Sequence, residues 1–123
     1  MRQSSFVALV GLCMGLLLVA GGCSTSEPEF HNVAGSVEGI ITAPPEKVAL
    51  AAKKAVEDLK LTDVTYAASR VDAMVTARTA QDIEVDIKID LVGTESSDVE
   101  IRVGTFGDEV VSMKIIELLK KNL

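Results

Sequence analysis

Hydrophobic and polar positions follow three successive patterns along this chain. An uncharged apolar run from Phe6 to Ala20 is followed by a polar stretch without periodicity up to residue 35. Beyond it, two segments carry apolar residues at steps of three and four, which is typical of amphipathic helices. Between them apolar and polar residues alternate, as in half-buried strands. The patterns predict an N-terminal apolar segment, a polar tether and one folded domain over residues 36–123.

Two helices are predicted, one on each side of the main alternating region. The segment "PPEKVALAAKKAVEDLKL" starts with Pro45, which suits a first helical turn because its missing N–H costs no hydrogen bond there. Its core stripe consists of Val48, Ala52, Ala55 and Leu59. In "GDEVVSMKIIELLKKNL", Asp108 is a candidate N-cap. The stripe of this second helix consists of Val111, Ile115, Ile116 and Leu119, with Ser112 among them.

Five strands are predicted around these helices. They are "SVEGIIT", "VTYAASR", "MVTARTA", "IEVDIKIDL" and "VEIRV". Strict alternation in the last two indicates a sheet with one covered and one solvated face, which favours antiparallel pairing. The order β-α-β-β-β-β-α predicts an α+β two-layer sandwich in which two helices cover one face of an antiparallel sheet. The first strand is expected beside the last, because that placement keeps the whole sheet antiparallel.

The solvated face of this sheet is predicted to be charged. Alternation places on it Glu84, Asp86, Lys88 and Asp90 from one strand, and Glu100 and Arg102 from the next. A flat strand surface with a lysine among its acids does not curl around a metal ion, so no metal site is expected there. The hairpin carboxylates of Glu95 and Asp98 offer at most a weak calcium site.

The segment "IRVGTFGD" is predicted to form a sharp turn from a strand into the last helix. Gly104 and Gly107 free the backbone for that turn, and Phe106 is expected to fill the end of the core. An anion at the start of the helix is disfavoured, because Asp108 would repel it.

The N-terminal apolar run has three interpretations. Small residues before Cys23, in "AGGC", resemble the lipobox of bacterial lipoproteins, which predicts a signal peptide over residues 1–22, cleavage between Gly22 and Cys23, and lipid on Cys23. A retained transmembrane helix is an alternative, although no Lys or Arg follows the run as a stop signal. An ordinary secretory signal is the third. Ser24 after the cysteine, where many inner-membrane lipoproteins have aspartate, favours the periplasmic face of an outer membrane.

A polar tether is expected over residues 23–35. Fully extended, its roughly 11 residues after the cysteine would hold the domain within ~40 Å of the bilayer. The chain's one histidine, His31, lies in this segment and is expected to be solvated.

The net charge and the available residue types argue against several classes of function. The net charge is −6, with 18 acidic against 12 basic residues, which disfavours binding to nucleic acid and broad contact with anionic headgroups. The candidate serines, Ser69, Ser96, Ser97 and Ser112, have no histidine base outside the tether, and no free thiol is expected once Cys23 is lipidated. No enzyme activity, metal or cofactor is therefore expected.

Several segments together resemble one family. They are the lipobox, the helix after Pro44-Pro45, "VTARTA", "RVGTFGDE" and "IIELLKKNL", and they are similar to the small bacterial lipoproteins of the domain of unknown function 3568. The resemblance implies the fold and the cellular address but no catalytic residue. The order of elements also resembles the helix-grip domains of an outer-membrane assembly lipoprotein, and a likeness of fold does not define a function.

Two classes of function remain open. The first is a non-catalytic module, anchored to the membrane through lipid on Cys23, that binds an envelope protein. The second is a carrier of a small apolar ligand or lipid, held between helices and sheet beside Ala51, Ala52 and Ala55, although close packing of helix on sheet also explains these alanines. The pattern indicates neither the partner nor the oligomeric state.

Overall fold

The structure of the protein, a computed structural model, describes residues 30–123. Its elements are β1 (His31–Val33), β2 (Ser36–Ile41), α1 (Pro45–Asp58), β3 (Thr62–Ala68), β4 (Asp72–Arg78), β5 (Glu84–Val92), β6 (Ser96–Val103) and α2 (Glu109–Lys121). The predicted signal peptide, the lipidation site at Cys23 and the first part of the tether lie outside the described residues.

The strands form a six-stranded sheet in the order β1-β2-β6-β5-β4-β3, and every neighbouring pair is antiparallel. The predicted pairing of the first long strand with the last is confirmed, with Val37 opposite Ile101 and Gly39 opposite Val99. α1 carries the chain from the end of β2 to β3 at the far edge of the sheet. β6 can therefore take the place beside β2.

Both helices cover the same face of the sheet, so the predicted α+β two-layer sandwich is confirmed. α1 packs over β3 to β6, and α2 packs over β2 and β6 and against α1. The helix stripes are buried as predicted at Val48, Ala52 and Ala55 in α1 and at Ile115 and Leu119 in α2. The sheet contributes to the core Val37, Ile41, Ala73, Val75, Ala77, Val85, Ile87, Ile89, Val99, Ile101 and Val103.

The sheet begins earlier than the pattern predicts. His31–Val33, assigned to the tether, form β1 and pair with Ser36–Glu38. A three-residue strand is too short to show a period of two, and its pairing partner lies across a tight turn. β4 and β6 also start before their predicted first residues, at Asp72 and Ser96.

Candidate functional site

The charged residues singled out from the sequence lie together on the face of the sheet opposite the helices. Across the β5–β6 pair, Asp86 lies opposite Arg102 and Lys88 lies opposite Glu100. Their strand neighbours Ile87 and Ile101 point into the core and are fully buried. The alternation predicted for these two strands is thus confirmed.

Neighbouring strands bring further charges to this face. Glu38 of β2 lies opposite Glu100, and Asp72 of β4 lies opposite Asp90. We call this face of the sheet, opposite the helices, the outer face. It carries seven acidic side chains, Glu38, Asp72, Glu84, Asp86, Asp90, Asp98 and Glu100, and three basic ones, Arg78, Lys88 and Arg102. The outer face therefore carries most of the net negative charge of the described chain.

Three aspartates form a row across the outer face. Asp72 lies opposite Asp90, which in turn lies opposite Asp98. Like charges directly opposite each other destabilise a sheet. Within residues 30–123, no group of three or more His, Cys, Asp or Glu side chains is arranged to hold a metal ion.

Arg102 lies on the outer face but directs its guanidinium group towards two turns. Nη1 donates to the carbonyl oxygen of Ala34 and to the hydroxyl of Ser36, both at 3.3 Å, and Nη2 donates to the carbonyl oxygen of Thr105 at 2.7 Å. These bonds tie the β1–β2 turn to the β6–α2 turn. The planar fork of arginine suits such a set of acceptors.

Asp86 has an altered acidity. Partial burial raises the pKa of its carboxyl group above the usual value, and the nearby charge and hydrogen bond of Glu84 raise it further, whereas Lys88 lowers it.

An open depression of about 680 Å³ adjoins Asp86, and its lining includes Glu84 and Phe106. Arg78 at this depression donates to Asp82 at 3.2 Å and to Glu84 at 3.5 Å. Exposed pairs of this kind contribute little to stability.

The turn residues adopt the geometry that favours glycine. Gly104 has φ +73° and Gly107 has φ +84°. Asp108 caps α2, and its carboxylate accepts a hydrogen bond from the Val111 N–H at 3.1 Å. The turn is also a site of close packing, because a Cβ on Gly107 would collide with the backbone of Gly35.

The expectation for Phe106 is wrong. Its side chain is 92% exposed, because the turn directs it away from the core. The aromatic residue that packs against the core is Phe30, from the predicted tether. The ring of Phe30 lies over Gly39, and Lys120 of α2 places its ammonium group 5.1 Å from the ring centre. In the sequence, Gly39 is a glycine at an inward-facing position of β2. This gap between apolar neighbours indicates that a side chain from another segment covers it.

The other residues considered for chemistry are separated from one another. His31 is exposed in β1, opposite Glu38. Ser97 is buried and donates to the carbonyl oxygen of Ala43 at 2.7 Å. Ser112 is buried in α2, and its hydroxyl has no hydrogen-bond partner among the described residues. Ala51, Ala52 and Ala55 are buried in the core.

The fold and the outer face define a small α+β domain with a helix-covered core and an open acidic sheet surface. The family described as "Protein of unknown function (DUF3568)" matches residues 4–122, and the chain belongs to this family. The search of curated proteins gave no significant match. Between residues 30 and 123, neither helix is long and apolar enough to cross a membrane.

Proposed function

We propose that the protein is a lipid-anchored lipoprotein of the bacterial envelope whose domain binds another envelope protein through its outer face, without catalysing a reaction. The observation that carries the proposal is the outer face itself, because neither helix of residues 30–123 covers it and acidic side chains dominate it. A surface with one dominant sign of charge speeds encounter with a complementary surface and disfavours other partners. We therefore expect the partner to present a basic surface.

The lipid anchor is proposed from the sequence. The apolar run from Phe6 to Ala20 ends in small residues and Cys23, in agreement with a cleaved signal and a lipidated cysteine. More than one acyl chain makes such anchoring stable, since each buried CH₂ contributes about 0.8 kcal/mol. The periplasmic face of an outer membrane is the proposed location.

Two measurements test the proposal. Intact-mass spectrometry after detergent extraction should show loss of residues 1–22 and lipid on Cys23. In-cell photo-crosslinking from positions 86 and 100 should capture a protein, whereas the same probe at Lys54, exposed on α1, should not. An unmodified Cys23 contradicts the anchor, and capture from position 54 alone contradicts the choice of face.

Charge reversal separates binding from folding. Asp86→Lys together with Glu100→Lys should weaken capture of the partner, and more at low salt than at high salt because salt screens the attraction. The fold should persist at a cost of roughly 0.5–2 kcal/mol, because both side chains are half-buried and the new lysines lie opposite Arg102 and Lys88. If no position captures a protein and a lipid co-purifies with the domain, the protein is a carrier of apolar ligands instead.

A further inference from the structure

The start of α2 exposes an apolar strip that the proposed function does not use. Its members are Val110 and Met113, whose side chains are 80% and 41% exposed. Phe106, the most exposed large hydrophobic residue between positions 30 and 123, lies instead at the depression beside Asp86. Val110 and Met113 are three positions apart, so they lie on the same side of the helix. We call these residues the α2 strip.

The strip continues into an open apolar groove along α2. Val110 and Met113 line this groove together with Ile116 and with Leu59, the residue that follows α1. Contiguous apolar surface of this kind marks a site of contact with a protein or a membrane. The groove lies between the residue that follows α1 and the outward side of α2.

The described chain begins beside α2. The ring of Phe30 lies 5.1 Å from the ammonium group of Lys120. The segment from Cys23 to Phe30 spans no more than about 25 Å even when fully extended. A lipid on Cys23 would therefore hold α2 close to the bilayer, and the predicted tether is shortened because β1 takes up its second half.

Charge is divided between the two sides of the domain. The outer face has seven acidic and three basic side chains. α2 and its N-cap carry Lys114, Lys120 and Lys121 against Asp108, Glu109 and Glu117, so their charges balance. Anionic headgroups repel the first surface and not the second. The net charge of the whole chain conceals this difference.

We infer that the α2 strip rests on the phospholipid surface and directs the outer face away from the membrane. The inference rests on the proposed lipidation of Cys23. Apolar side chains at the headgroup boundary, with charged side chains on the flanks, are the pattern of interfacial helices, and here Lys114 and Lys120 lie at the groove with Glu109 and Glu117. The anchor supplies the binding, and the strip sets the orientation in which the outer face is open to a partner.

Depth-dependent fluorescence quenching tests the inference in the full-length, processed protein. Lipidated Cys23 leaves no free thiol, so Val110→Cys provides a unique labelling site. The labelled protein is reconstituted into phosphatidylethanolamine–phosphatidylglycerol vesicles that contain nitroxide-labelled lipid. We expect strong quenching at position 110 and little at two controls, Val71→Cys and Glu100→Cys. Val71 is a matched valine, 60% exposed in the β3–β4 turn.

A second set of variants tests the strip itself. With the label at Met113→Cys, Val110→Asp should reduce quenching to the level at position 71. Val110→Leu should retain it. The native Val110 side chain points into solvent, so these changes leave the core intact.

The outcomes separate the inference from the proposed function. Lipid on Cys23 with no quenching at position 110 overturns the inference alone. Quenching that persists in the Val110→Asp variant also overturns it, as does crosslinking in cells from position 110 to a protein rather than to lipid. A Cys23 without lipid overturns both the anchor and the inference.

Discussion

Gly35 and Gly107 are in direct backbone contact, because the carbonyl oxygen of Gly35 occupies the space that a Cβ on Gly107 would need. Their φ angles are +93° and +84°. The contact joins the β1–β2 turn to the turn before α2, which Arg102 also bridges through its hydrogen bonds to Ala34 and Thr105. Both the close approach and the backbone conformation require glycine.

Gly107→Ala should therefore destabilise the domain more than Gly93→Ala. Gly93 also has a positive φ, +72°, but nothing lies within 4 Å of its missing Cβ. Conformational strain should lower the free energy of unfolding by about 1–2 kcal/mol at either position. At Gly107 the collision should lower it by a further ~1–3 kcal/mol. Urea unfolding of residues 24–123 measures both. Equal losses would show that the β1–β2 turn moves aside without cost.

Phe30→Ala should destabilise the domain by about 1–2 kcal/mol, because the ring is partly buried against the core and fully burying such a side chain is worth roughly 1.5–3 kcal/mol. Phe106→Ala is the matched control and should change stability by less than ~0.5 kcal/mol. Thermal unfolding compares the two variants. A larger loss for Phe106→Ala would contradict the exposed position of that ring.

Ser112→Ala should leave stability unchanged or raise it by about 1 kcal/mol. The Ser112 hydroxyl is buried without a partner in the described chain, and such a group costs about 1–3 kcal/mol. Ser97→Ala should have the opposite effect, since it removes the 2.7 Å hydrogen bond to Ala43. Chemical denaturation distinguishes them. A marked loss in Ser112→Ala would show that the hydroxyl has a partner, such as a buried water.

Asp86→Asn should raise the free energy of unfolding at pH 7, by an amount that shrinks as the pH falls towards 3.8. The folded protein raises the pKa of Asp86 above its ordinary value of 3.8, so the folded state binds this proton more tightly than the unfolded state. The ionised carboxyl therefore costs stability above its folded pKa, and this cost disappears below 3.8. Unfolding of both proteins across pH 3 to 8 measures the difference. A difference that does not vary with pH would contradict this origin.

Much of the fold follows from local pattern. The helical stripes of α1 and α2 and the alternation of β5 and β6 predicted which side of each element is buried, since side-chain direction repeats with the geometry of the backbone. The cap at Asp108 and the glycine turn were predictable for the same reason, because a few neighbouring residues determine them.

The composition of the outer face was predictable only in part. Alternation assigns to it Glu84, Asp86, Lys88 and Asp90 from one strand and Glu100 and Arg102 from the next. Glu38 and Asp72 join them only because strand order places β2 and β4 beside β6 and β5. The unequal charge of the two sides of the domain therefore depends on topology, which no single stretch of sequence contains.

By itself the sequence determined seven of the eight elements, the buried side of both helices and of β5 and β6, and the apolar N-terminal run before Cys23. Only the tertiary structure decided that His31–Val33 form an edge strand, that Phe30 rather than Phe106 packs against the core, and that Gly35 meets Gly107. Periodicity and capping act over a few residues, whereas these contacts join segments distant in sequence. Their energies depend on where neighbouring elements lie, and the direction of a turn sets which aromatic ring is buried and which reaches solvent.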